Sequence, residues 1–75
     1  MIFALWDTET GNIVGTWERE ADALALVRAA VRAYGPAYAD TLALVREDAR
    51  GEVTPIAAGA ALAARAAAAN PVPAA

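Results

Sequence analysis

The sequence predicts a small α+β domain of order ββαββα, with a four-stranded, mainly antiparallel sheet and two helices. Three observations carry this. Residues 2–17 and 41–56 each hold two short runs rich in β-formers around a polar, Gly-containing turn. A stretch with helical or helix-favouring composition follows each pair. The chain is 75 residues long, the size of one domain.

Ile2 to Trp6 is apolar and reads as the first strand. Asp7 to Asn12 reads as a turn, because Asp and Asn side chains bond nearby backbone and Gly11 supplies a positive φ. Ile13 to Trp17 reads as the returning strand.

Glu18 to Tyr34 takes helical spacing, with Ala23, Leu24, Val27, Ala30, Val31 and Tyr34 in one stripe. Acidic residues crowd its start and Arg28 and Arg32 lie nearer its end, in accord with the helix dipole. Gly35-Pro36 is a stop signal. Pro36 to Asp40 is a linker with room for one helical turn.

Thr41 to Glu47 reads as a third strand and Asp48 to Gly51 as its turn. A fourth strand runs from Glu52 to about Ile56, at a sheet edge because Pro55 has no N–H to donate. A helix starting at Thr54-Pro55 is the rival reading, since Thr suits an N-cap and Pro the first helical position. The Ala-rich second helix is placed at Ala58 to Ala69, anchored by Leu62. Residues 1–69 are expected to form the domain and 70–75 a disordered tail. The expected core is Phe3, Leu5, Val14, Leu24, Val27, Val31, Leu42, Leu44 and Leu62.

Pairing residue i with 19−i in the first hairpin sets Ile2 against Trp17, Ala4 against Gly15 and Trp6 against Ile13. Side chains alternate along a strand, so Ile2, Trp6, Ile13 and Trp17 then share one face. Phe3, Leu5, Val14 and Thr16 take the other. A sheet with one wet face should alternate apolar with polar, and this hairpin is apolar on both. Three covers for the surplus face are open: a second copy of the chain, the second helix wrapped onto that side, or a ligand or other protein. Ile2, Trp6, Ile13 and Trp17 are the candidate interface, and a homodimer or other homo-oligomer the expected partner.

Composition narrows the chemistry. The chain has no Cys, His, Ser or Lys, so disulfides, the commonest metal ligand and most nucleophiles are missing. A domain of this size is marginal alone, and oligomerisation is the remaining usual support. The net charge of −3 gives no long-range attraction for phosphate backbones, and nucleic acid is not expected as a partner. The first residues lack the pattern of a signal peptide, and the apolar run Ile56 to Ala64 is too short to span a bilayer. A cytoplasmic location and no membrane association are expected. Neither cofactor nor metal is expected, and the Arg28–Arg32 pair reads as solvated helix surface.

Leu5-Trp6-Asp7-Thr8-Glu9-Thr10-Gly11 resembles the first motif of the proofreading-type 3′–5′ exonucleases, in which an apolar strand ends in Asp-x-Glu-Thr. The resemblance implies Asp7 and Glu9 as ligands of a metal pair that activates water against a phosphodiester. It covers seven residues; the family's further Asp positions have no matching context around Asp40 or Asp48, and of the His or Tyr that usually serves as its general base, His is absent from the chain. The other reading makes Asp7 and Glu9 turn residues. The function expected is therefore a non-enzymatic interaction or regulatory module, homo-oligomeric through an apolar sheet face. The alternative is a minimal metal-dependent phosphodiesterase using Asp7 and Glu9. A small-molecule binder at the Trp face is a third.

Overall fold

A computed structural model describes residues 1–69; the expected tail at 70–75 lies outside them. The order is β1 (Ile2–Asp7), β2 (Asn12–Trp17), α1 (Glu20–Tyr34), a 3₁₀ helix η1 (Pro36–Thr41), β3 (Leu42–Glu47), β4 (Val53–Ala58) and α2 (Gly59–Ala68). The strands form one sheet in the order β2-β1-β3-β4, antiparallel at every seam. The order is symmetric about the β1–β3 seam, with one ββα half on each side.

Both turns close by the same device. Asp7 Oδ1 accepts the N–H groups of Glu9 (2.9 Å) and Thr10 (3.3 Å), and Gly11, at φ +75°, donates to the Asp7 carbonyl. Asp48 Oδ1 accepts those of Arg50 (2.8 Å) and Glu52 (3.0 Å), with Gly51 at φ +80°. A short carboxylate mimics a backbone acceptor, and glycine takes the left-handed geometry without strain.

α1 begins two residues later than expected, with Arg19 as its N-cap. It ends at Gly35, whose N–H reaches the Val31 carbonyl at 2.8 Å. The linker after it is a full 3₁₀ segment that buries Ala39. β4 continues through Pro55 to Ala58, so the rival helix start at Thr54-Pro55 is not taken. As expected, β4 is an edge strand, and Pro55 stands beside a bulge at Ile56.

Both helices lie on one side of the sheet. Leu24 and Val27 of α1 and Leu62 and Ala66 of α2 join Leu5, Leu42 and Leu44 in a single core. α2 therefore does not wrap onto the opposite face. Leu5 and Leu44, paired directly across the central seam, are each within 1% of full burial. No polar or charged side chain is buried among the described residues.

The first hairpin departs from the expected register. Near the turn Trp6 pairs with Ile13, as the 19−i rule gives, but Leu5 pairs with Gly15 and Phe3 with Trp17. Val14 is the additional residue of a bulge, which shifts the remaining pairs by one. Trp17 is thereby moved to the helix side and packs against the core, while Thr16 moves to the opposite side. Val14, expected in the core, is 47% exposed. Gly15 makes room for the change: a Cβ there would lie 2.8 Å from Trp17 Cη2.

Candidate functional site

Directly opposed residues in a sheet share a face, so the register defines the side away from the helices. It has three rows. Ile13, Trp6, Ala43 and Ala58 form the first, and Thr16, Ala4, Val45 and Pro55 the second. Ile2, Glu47 and Val53 form the third. Glu47, at the end of the inner strand β3 between Ile2 and Val53, is the single charge on these rows.

Exposure separates this face from the other. Ile2 is 40%, Trp6 38% and Ile13 49% exposed, although all three are large and apolar. Ala4, between Ile2 and Trp6 along β1, is buried at 8% by its larger neighbours. The second hairpin extends the patch with Val45 and the exposed Val53 and Pro55.

Of the four residues predicted for the interface, the structure brings Ile2, Trp6 and Ile13 together and removes Trp17. Val45, Val53 and Pro55 were missing from that prediction. The alternation within β3, with Leu42 and Leu44 inward and Ala43 and Val45 outward, was their available signal. Chemically the face is suited to burying area. Its side chains offer one carboxylate, Glu47, and one hydroxyl, Thr16.

The acidic motif lies at the end of the hairpin. The Asp7 carboxylate is engaged by its own turn, and Thr8 ties that turn to β3: its N–H and hydroxyl both donate to the Thr41 carbonyl, at 2.7 and 3.2 Å. Glu9 is exposed. Asp7 pairs with Leu42 and Ile2 with Glu47, so Asp48 belongs to the opposite end of the sheet, about 20 Å away at strand rise. Among the described residues no three acidic side chains converge as a metal site would require.

The two helix arginines differ in role. Arg28 Nη1 donates to the Ala69 carbonyl at 2.9 Å, capping the end of α2, whereas Arg32 is exposed. Glu20 of α1 accepts from Arg65 Nε of α2 at 2.7 Å, and that hydrogen bond and the carboxylate's charge raise the Arg65 pKa above its ordinary value. No helix among the described residues is long and apolar enough to cross a membrane. Comparison with known protein families, curated proteins and solved structures finds no match.

Proposed function

We propose that the chain is a non-enzymatic interaction module that self-associates through the open face of its sheet. The observation that carries this reading is the apolar patch of Ile2, Trp6 and Ile13, joined through Ala4 and Val45 and uncovered by either helix. Of the three covers considered from sequence, α2 is committed to the other side.

Self-association is supported by the apolar character of the face: Glu47 is the one charge on its rows, so two identical faces meet with a single like-charged pair in an otherwise uncharged contact. Fully burying a large apolar side chain is worth about 1.5–3 kcal/mol, and these three are partly exposed, so a portion of that gain is still to be had. Twofold packing of sheet on sheet would recover it on both copies at once.

Light scattering at micromolar concentration tests the proposal. The expected mass is twice the 7.7 kDa of the chain, falling to the single-chain value in Ile13→Lys. A wild-type mass of one chain across the micromolar range would rule it out.

A further inference from the structure

On the opposite side of the sheet, the flank of α1 turned away from α2 stands over the edge strand β2 and leaves a cavity of about 310 Å³. Its floor is core: Leu5, Val27 and Leu42 are almost fully buried. Its walls are the half-exposed Val14 of the bulge and Leu26 of α1. At one end stand Tyr34, the last residue of α1, and Tyr38 of η1, with ring centroids 5.1 Å apart and planes tilted by 32°. The cavity is open to solvent along its rim, where Ala29, Ala33, Tyr34 and Tyr38 are exposed, and apolar down to the core side chains at its floor. The reason for it is local. Ala29, Ala30 and Ala33 supply methyl groups where Leu or Phe would close the space.

We infer that this cavity is a binding site for a small, uncharged aromatic molecule. Volume, charge and shape of the lining select that class. The volume lies at the lower end of the range of ligand pockets, ~300–1,000 Å³, which suits a molecule of about two rings. The lining holds no Asp, Glu, Arg, Lys or His, so a charged ligand would lose its hydration without compensation. The tyrosine hydroxyls are the only side-chain hydrogen-bonding groups in the lining, enough for one polar substituent. The paired tyrosine rings favour an aromatic guest over an alkyl chain, because an added ring can pack offset or edge-on against them. The site is separate from the open sheet face: Leu5 and Leu42 of its floor belong to the core on the helix side, and none of its lining residues stands on the three rows of the open face.

The uncharged fluorophore N-phenyl-1-naphthylamine, titrated into the full chain, tests the inference. Expected is a saturable fluorescence rise with one probe per chain. Ala33→Phe, at the exposed lip, and Ala30→Phe, deeper in, should each weaken binding about tenfold or more while retaining the wild-type circular dichroism. Trp6→Thr on the open face should leave it unchanged, and naphthalene should displace the probe where 1-decanol does not. Absence of saturable binding would overturn the inference, as would binding that survives both cavity-filling variants in folded protein. Loss of binding in Trp6→Thr would place the probe on the open face, and equal displacement by decanol would replace the aromatic ligand with an alkyl one; either defeats the assignment. Binding that appears only on dilution to single chains would make a second copy the occupant and defeat it as well.

Discussion

Trp17 reaches the core across the bare backbone of Gly15, with Cη2 and Cζ2 of the indole 2.8 and 3.0 Å from where a Cβ would stand. Gly15→Ala must push the ring away from the layer it packs against. A loss of about 1–3 kcal/mol is expected by urea denaturation, together with a changed tryptophan emission. An unaltered midpoint would show that the indole relocates at no cost. Leu44→Ala is more severe: it opens a cavity at the centre of the sheet and should cost about 2–5 kcal/mol. A chain of this length has roughly 4–11 kcal/mol in all, so much of the Leu44→Ala population should be unfolded at modest denaturant. At this scale legibility followed side-chain size. Leu24, Val27 and Leu62 announced themselves by volume and spacing. Ala23, in the same stripe, is as deeply buried; so is Ala66, yet an alanine in the Ala-rich second helix carries no mark that separates core from surface.

The elements are held in place by few polar contacts, each with a specific job. Arg28 neutralises a carbonyl at the end of α2, where the helix dipole is negative. Arg28→Met should fray that end and cost about 1 kcal/mol, read as a loss of helical circular dichroism before the main thermal transition. Arg65 and Glu20 join the two helices over a half-exposed surface. A raised folded pKa supports stability below it and is lost as pH rises through it. For a guanidinium that window lies above the working range, so Arg65 itself adds no pH dependence near neutrality. The Asp7 turn is a structural element on this account. Asp7→Ala should cost about 1 kcal/mol through its two lost turn bonds and leave the oligomeric mass unchanged. Cleavage of single-stranded DNA with Mn²⁺ that vanishes in that variant would instead favour the phosphodiesterase alternative. Elements were legible wherever a stop signal was strong, as at Gly35-Pro36. They blurred at Pro55, where one residue suits both a helix start and a sheet edge.

At the scale of the molecule, a two-layer arrangement covers one side of a four-stranded sheet and leaves the other bare. Association that binds only the folded state makes apparent stability depend on concentration by mass action. The thermal midpoint should therefore rise with protein concentration in the wild type and become flat in Ile13→Lys. A midpoint independent of concentration in the wild type would count against self-association through this face.

By itself the sequence determined the element order, the Asp-led turns with glycine, and the surplus of apolar residues in the first hairpin. These depend on local backbone preference and on simple periodicity, which neighbouring residues suffice to express. Tertiary structure decided the bulge at Val14, the side taken by Trp17 and the placement of both helices on one face. Each is a choice between pairings of similar local merit, and the difference lies in contacts made across the sheet. Moving one residue out of register sent Trp17 inward and Thr16 outward, so the open face rests on Ile2, Trp6 and Ile13 with Val45 and Val53 from the second hairpin.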